Sequence, residues 1–320
     1  MEQSMNQYQS ADQRTMYFIG VTTGKSSIMK VFPAWSEHLG LNAVIRGIDF
    51  VPGDSPANYL EAVEFIKHDP LSLGALVTTH KVNLLKAARE CFSELDSYAQ
   101  TLHEISSISK RDDRLVGHAK DPISAGAAFE AIVDDGYWKS SQATLCLLGS
   151  GGSSLALTLY LHRKAAEGGD VPGKIVVTAR RDTSLDEMRD IHKQIGFSIP
   201  IDYELTPTAE VADQVVADLP AGSMVVNATG LGKDRPGSPL TNAVRFPDRA
   251  LVWEFNYRGD LVFLDQARAQ QKTSDLVIED GWVYFIHGWT RVIAEVFDID
   301  IPSTGPEFDT LSRLAREATA

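Results

Sequence analysis

The sequence predicts an α/β protein of two domains, the second organised around a parallel sheet. Three observations carry that expectation. Short apolar runs alternate with amphipathic stretches along almost the whole chain, which implies sheets covered by helices. A glycine-rich corner near the middle joins one apolar run directly to a helix. The 320 residues suffice for two domains, each large enough to bury a core.

The glycine corner organises the rest. Residues 143–156 read ATLCLLGSGGSSLA. Leu145, Cys146, Leu147 and Leu148 form a short run bounded by glycine, the pattern of a buried strand. Gly149, Ser150, Gly151 and Gly152 follow, then a segment whose length favours a helix to about Ala166. Glycines at such a corner permit a tight turn and let a ligand approach the backbone without meeting a Cβ. The first amides of the helix face that ligand, with Ser153 and Ser154 adding hydroxyls and a cap. Such a corner suits a phosphate anion, best a dinucleotide pyrophosphate. The spacing is G-x-G-G, with Ser154 where the dinucleotide fingerprint has its third glycine, so alone it equally describes an ordinary βα loop.

The next run tips the balance. KIVVT at 174–178 ends in Ala179-Arg180-Arg181-Asp182. In a Rossmann unit this strand end meets the adenosine ribose, where an acid favours a free 2′-hydroxyl and arginine accommodates a 2′-phosphate. Arg180 and Arg181 therefore point to NADP, while Asp182 keeps NAD open.

A net charge of −13 argues against nucleic acid and offers no basic face to a membrane. No apolar run is long enough to span a bilayer, and the polar residues 1–15 read as a disordered tail without a signal-peptide core. Cys91 and Cys146 sit in apolar contexts as reduced core residues, and the cytoplasm is the expected compartment. The eight histidines show no metal-ligand spacing, so no metal is expected.

In chain order, 17–21 is the first strand, followed by a polar loop holding Lys25, Ser26 and Ser27, suited to a small carboxylate. Gly20 to Ser26 nearly spells a P-loop. Only three residues separate its glycines, and no later strand ends in a convincing acid to hold magnesium, so a phosphotransferase is rejected. Strands are expected at 43–50 and 73–78, helices at 56–68, 83–92 and 96–104, and a hairpin from 105–109 and 114–118 turning at Asp112-Asp113. A helix over 123–133 leads to the second domain. There, strands at 201–205, 224–227 and 251–255 alternate with helices at 185–194, 209–219 and 261–270, before a long helix at 282–297. The expected division is 16–121 with 282–320 for the substrate and 122–281 for the dinucleotide.

Lys81 follows the third strand and Asp121 follows the hairpin, both at strand exits. A cleft between the domains would bring them together over the cofactor. An ammonium held by a carboxylate can take an alcohol proton, or donate one to a carbonyl oxygen, during hydride transfer. Lysine at a helix start is also commonly solvated, and Asp-Pro is an ordinary helix opening.

Taken together, these segments resemble the shikimate dehydrogenase family, which includes quinate and aminoshikimate dehydrogenases. Gly149 to Ser153 is similar to that family's G-A-G-G-A, and 226–232 (VNATGLG) is close to its I-N-A-T-S-x-G. The resemblance implies that Asn227, Ala228, Thr229 and Gly230 contact the nicotinamide half, with Arg180, Arg181 and Asp182 at the adenosine ribose. GALVTTHK at 74–81 is similar to G-x-N-V-T-x-P-x-K, and GHAKD at 117–121 to G-x-N-T-D. These imply a catalytic pair of Lys81 and Asp121, with Thr78 beside the substrate. FNYRGDLVFL at 255–264 and residues 281–288 fit the family's late strand and returning helix.

The departures gather on the substrate side. Ser26 matches the first serine of S-x-S-P, but Ile28 and Met29 replace its second serine and proline. Leu76 replaces the asparagine of N-V-T, and that segment is one residue shorter and lacks its proline. Ala119 and Lys120 replace the asparagine and threonine of N-T-D. Asn256, beside Tyr257, stands at the late tyrosine, and Gly288, beside His287, at the last glutamine. Each substrate group left unpaired would cost about 1–3 kcal/mol. Lys25, Lys120, His80 and His287 are new polar candidates for reading a different acid. The expected protein is an NAD(P)-dependent oxidoreductase acting on a cyclic hydroxy acid, with Ser26, Lys25, Thr78, Asn256, Tyr257 and His287 at the substrate. A homodimer is allowed. The rival is a dinucleotide-binding regulator or paralogue that has lost or changed shikimate activity.

Overall fold

The computed structural model describes residues 8–233 and 235–320. Its contacts divide the chain into two compact units, one running to Lys120 and resuming over Gly288–Ala320, the other Asp121–His287. The second break falls inside a helix, six residues later than the sequence suggests, because Val283 and Tyr284 pack against the second unit's core.

The first unit contains β1 (Thr15–Gly20), α1 (Ile28–His38), β2 (Val44–Asp49), α2 (Pro56–His68), β3 (Ser72–Val77), α3 (Lys81–Ala88), β4 (Phe92–Leu95), α4 (Ser97–Leu102), β5 (Ser107–Arg111) and β6 (Arg114–His118). The sheet order is β2-β1-β3-β5-β6-β4. Only β5 runs against the others, and it forms the expected hairpin with β6, turning through Asp112 at φ 54°. The start of α2 is legible residue by residue. Ser55 accepts from the Asn58 N–H, Pro56 occupies the first turn, and Tyr59, Ala62, Val63 and Ile66 recur on the buried face. The pattern does not announce α1, because Pro33 falls inside it.

The expected tail needs correction. Residues 1–7 lie outside the described range, but 8–15 are held in place. The Tyr8 ring stacks on Phe65 at 4.9 Å, the Ala11 N–H donates to Asp69 at 3.3 Å, Asp12 pairs with Arg46, and Thr15 opens β1. Their partners lie far away in sequence, so a polar local composition conceals them.

The second unit contains α5 (Asp121–Glu130), α6 (Tyr137–Ser140), β7 (Leu145–Leu148), α7 (Gly152–Ala166), β8 (Ile175–Ala179), α8 (Asp182–Gln194), β9 (Ile201–Leu205), α9 (Ala209–Ala217), β10 (Met224–Asn227), β11 (Leu251–Glu254), α10 (Val262–Arg268), α11 (Gln271–Ser274) and β12 (Val277–Glu279). It also contains the first turns of α12 (Trp282–Phe297), which ends in the first unit, where α13 (Pro306–Thr319) follows. All six strands are parallel, in the order β12-β11-β10-β7-β8-β9. Leu145, Leu147, Ile175, Val177, Met224, Val226, Leu251 and Trp253 share one core cluster, and Cys146, Val176, Val225 and Val252 share another. Strands buried on both faces read as continuous apolar runs, which is why they stand out in the sequence. Gly126 lets α5 pack closely on α7, since a Cβ there would lie 2.2 Å from the Tyr160 ring. Among the described residues no helix is long and apolar enough to cross a membrane.

Candidate functional site

In the second unit β7 is the first strand in the chain and lies mid-sheet, with β8 and β9 on one side and β10, β11 and β12 on the other. The strand order reverses there, and ligands of open α/β sheets bind at the carboxyl ends of strands at such a switch point. The glycine corner occupies that position. Gly149 has φ 108°, and a Cβ on it would lie 3.0 Å from Thr229 Cγ2, so the corner passes close to the loop after β10. Gly151 and Gly152 are exposed, and nothing lies within 4 Å of where their Cβ atoms would be.

A cavity of about 820 Å³ opens over this edge, lined by Gly149, Ser150 and Gly151, by Arg180 and Arg181, and by residues 228–231. Ser184, Thr208 and Arg235 also line it, and pattern reasoning from the sequence does not single them out. The intrahelical ladder of α7 leaves its first amides unbonded at the glycine corner.

One expectation here needs correction. Ser154 neither caps α7 nor faces a ligand. It is buried, and its hydroxyl donates to the Gly149 carbonyl at 2.5 Å, while Gly151 stands at the cap without a side-chain bond. Ser153, within the first turn of α7, is half-buried. Ser150 donates to the Ser184 carbonyl at 3.0 Å, which ties the corner to the start of α8. Asp182 is exposed as the first residue of α8 and is not among the residues lining the cavity.

The loop after β10 is held from below. Asn227 is fully buried, and its Oδ1 accepts from the Thr229 N–H at 3.0 Å and from the Thr229 hydroxyl at 2.6 Å. Its Nδ2 donates to Glu254 Oε2 at 2.6 Å. Asn256 is not presented to a substrate as expected. Its Nδ2 donates to Glu254 Oε1 at 2.6 Å and to the Thr229 carbonyl at 3.1 Å. Glu254 closes β11, although no acidic strand end was expected, and it faces amides. Burial pushes its carboxyl up to about 7, against the opposing hydrogen bonds from Asn256 and Asn227 and the charge of Lys233. Tyr257 stacks on Phe285 at 4.2 Å, and His287 is fully buried, receiving a bond on its carbonyl from Ser124 at 3.3 Å.

In the first unit the carboxyl ends of β1, β3 and β6 lie on one edge. Lys25 is exposed in the short helical turn Thr23–Lys25, whose Thr23 N–H donates to Asp49 at 2.8 Å. Ser26 is half-buried beside it. Thr78, also half-buried, donates its N–H to the Ile19 carbonyl at 2.9 Å. Lys81 is half-buried at the first position of α3, which suits a side chain meeting both protein and solvent. Its carbonyl accepts from the Ile105 N–H at 3.5 Å, while the Lys120 N–H donates to Ser106 Oγ at 2.7 Å. Adjacent residues of one segment thus anchor both positions, and Asp121 follows as the first residue of α5. Two new polar candidates are engaged elsewhere. His80 is buried with Nδ1 at 2.9 Å from the Tyr59 hydroxyl, and Lys120 pairs with Glu295 at 2.6 Å.

The strand order, the glycine corner at its switch point and the cavity above it make the second unit a Rossmann-type domain, in a chain whose other unit carries a mixed α/β sheet. No family model matches the chain. Over 178 residues it is 27% identical to the shikimate dehydrogenase (NADP(+)) of Lactococcus lactis subsp. cremoris, and the match covers 55% of this chain and 58% of that protein. The chain thus spans little more than half the length of this curated relative. The quinate dehydrogenase of Corynebacterium glutamicum, solved in complex with NAD, superposes with a TM-score of 0.70 at 19% identity, over 95% of this chain and 99% of that one. The 5-ketofructose reductase of Gluconobacter sp. strain CHM43 gives 0.71 at 14% identity, over 95% and 98%. The chain has the fold of these dehydrogenase structures, and over little more than half its length its sequence is similar to the shikimate dehydrogenases.

Proposed function

We propose that this chain is an NAD(P)-dependent oxidoreductase of the shikimate/quinate dehydrogenase type. It would act on a secondary alcohol or ketone of a cyclic hydroxy acid. The observation that carries this reading is the cavity over the glycine corner, because one wall is the turn Gly149–Gly151 that leads into the start of α7 and the other carries two arginines. A dinucleotide fits that donor set. When bound, it supplies the hydride acceptor or donor.

The protein's part is binding and proton handling. The amides at the start of α7 hold the pyrophosphate, Arg180 and Arg181 hold a 2′-phosphate, and residues 227–230 orient the nicotinamide end. Exposure of Asp182 outside the cavity favours NADP over NAD. Lys81 takes the alcohol proton in one direction and donates it to the carbonyl oxygen in the other, with Asp121 as its acidic partner. Lys25 and Ser26 bind the substrate carboxylate, with Thr78 beside them. Tyr257 remains a substrate candidate through its ring. The buried His287 and the engaged Asn256 act behind the surface. Two free cysteines fit a reducing compartment, and we place the enzyme in the cytoplasm.

The test is a panel of shikimate, quinate, aminoshikimate and a cyclic ketose, each with NADP and NAD, followed through absorbance of the reduced nicotinamide. Turnover of a cyclic hydroxy acid that falls at least ~10²-fold in Lys81→Ala, with dinucleotide binding retained, supports the reading. Dinucleotide binding with no turnover of any member would instead leave a binding protein.

A further inference from the structure

The loop over the cavity floor rests on a carboxylate that touches no solvent. Glu254 is 0% exposed at the end of β11 and accepts three N–H groups. Oε1 takes the Asn256 N–H at 2.8 Å and its Nδ2 at 2.6 Å, and Oε2 takes Asn227 Nδ2 at 2.6 Å. An ionised carboxylate only accepts, so it dictates which end of the Asn227 amide turns inward. With Nδ2 inward, Oδ1 must point outward, where it receives both the N–H and the hydroxyl of Thr229. The Thr229 hydroxyl, having donated, accepts the Leu231 N–H at 3.2 Å. Thr229 and Leu231 both line the cavity.

We propose that Glu254 is a positioning residue for the dinucleotide pocket, a latch whose ionisation sets the Asn227 amide and through it the 229–231 loop. The inference rests on the dinucleotide reading of that cavity. When Glu254 takes up a proton, Oε2–H requires an acceptor, and the Asn227 amide supplies one by turning through 180°. Its NH₂ then faces the Thr229 N–H, donor against donor, and the loop loses its anchor. Among the described residues, the charge acting on the carboxyl is that of Lys233, from the loop after β10, and it favours the ionised form. On the neighbouring strand, Glu279 lies opposite Trp253, one position before Glu254. Burial places the carboxyl near 7, so the latch works in the physiological range.

Two measurements on the whole protein decide it. The first is the Kd of NADPH and NADH between pH 6 and 8, by fluorescence, for wild type, Glu254→Gln and Glu254→Asp. Wild type should bind at least ~5-fold more weakly at pH 6 than at pH 8. Glu254→Gln keeps its oxygen toward Asn256 and its NH₂ toward Asn227, which fixes the turned amide. It should therefore bind at pH 8 as wild type does at pH 6, with any slope due to the NADPH 2′-phosphate shared by both proteins. Glu254→Asp should keep the wild-type slope. The second measurement is the Thr229 amide resonance of the ligand-free wild type, which should titrate with a midpoint near 7. Equal slopes in wild type and Glu254→Gln, or a Thr229 amide unmoved between pH 6 and 8.5, would overturn the latch. A wild type that binds neither nucleotide while its Thr229 amide titrates would overturn the dinucleotide reading and leave the Glu254–Thr229 coupling standing.

Discussion

Lys120 Nζ lies 2.6 Å from Glu295 Oε2, joining the segment after β6 to the last turn of α12 within the first unit. Both side chains are largely shielded, at 13% and 26% exposure. Around them, Arg111 donates to the Glu295 and Val296 carbonyls at 2.6 and 3.2 Å, as cations do at helix carboxyl ends, and His118 Nε2 lies 3.2 Å from Glu295. Burial alone would raise the Glu295 carboxyl. The Lys120 bond and the charges of His118, Lys120 and Arg111 outweigh it and hold the group below 4.5. Stability from this cluster is therefore present above that value and lost as pH falls through the lower folded value. Lys120→Met should lose roughly 1–3 kcal/mol in denaturant unfolding at pH 7, with substrate KM within about twofold of wild type. A large rise in KM with unchanged stability would return Lys120 to the substrate.

Thr79 stands two residues before Lys81 with φ 64°, in the left-handed region that a β-branched residue occupies only under constraint. This is the stretch that is one residue shorter than the shikimate dehydrogenase motif it resembles, and the tight path brings the His80 N–H to the Thr78 carbonyl at 2.6 Å. Asparagine tolerates this conformation without the added unfolded-state freedom of glycine. Thr79→Asn should gain about 1 kcal/mol, read as a rise of a few degrees in Tm. Thr79→Pro, whose ring forbids positive φ, should lose several. A Thr79→Asn protein less stable than wild type would show that the threonine side chain makes contacts worth more than the strain.

How far the sequence could be read follows from the range of each interaction. β7, β8, β10 and β11 are legible because strands buried on both faces announce themselves as apolar runs, and the glycine corner marks its own position between Leu148 and α7. The hairpin at Asp112 is equally local. Hidden were features completed by distant partners. Asp69 holds Ala11 and the Tyr17 hydroxyl at 2.7 Å across more than fifty residues, and α1 is held by the Trp35 indole N–H on the Leu311 carbonyl at 2.8 Å despite Pro33. At the site, Lys25 and Arg180 reach solvent as a loop composition implies. Lys120, His80 and Asn256 could equally face a ligand or a neighbour, and only three-dimensional pairing assigns them to neighbours. Asn227, Thr229 and Asn256 stand out through the motifs, but nothing in the pattern marks Glu254 as the group that joins them.

His192 gives a stability signature in acid. Thr158 donates its hydroxyl to the Leu155 carbonyl at 2.9 Å, so His192 Nε2 is the donor in their 2.8 Å contact, and Nδ1 accepts from the Tyr203 hydroxyl at 2.6 Å. The neutral ring is thus fully satisfied while stacked on Phe197 at 4.3 Å. Burial, and then the charge of His162, depress it from 6.5 to about 4. The unfolded chain takes up this proton first. Stability should therefore be complete above pH 6.5 and fall by roughly 2–3 kcal/mol as pH drops toward 4. In His192→Gln that part of the slope should vanish from the denaturation midpoint between pH 6.5 and 4. An unchanged slope would assign the acid sensitivity to other groups.

On the proposed reading, cofactor choice turns on the strand end of β8. Arg180 and Arg181 are exposed and line the cavity, and Arg181 reaches Ser184 only weakly, at 3.5 Å, so among the described residues neither is committed to a strong internal pair there. A guanidinium recognises a phosphate by two parallel N–H bonds and adds little for a free hydroxyl. Replacing both by alanine should raise KM for NADP by at least about tenfold while changing KM for NAD less than threefold. Both values come from initial rates with the best substrate of the panel. Because the side chains project from the surface, the fold should be unaffected, and a matching Tm would show it. Equal losses for both nucleotides would mean that the arginines serve the shared adenosine or pyrophosphate. An effect on NAD alone would move the discriminating role to Asp182, whose carboxylate stands one residue beyond at the start of α8.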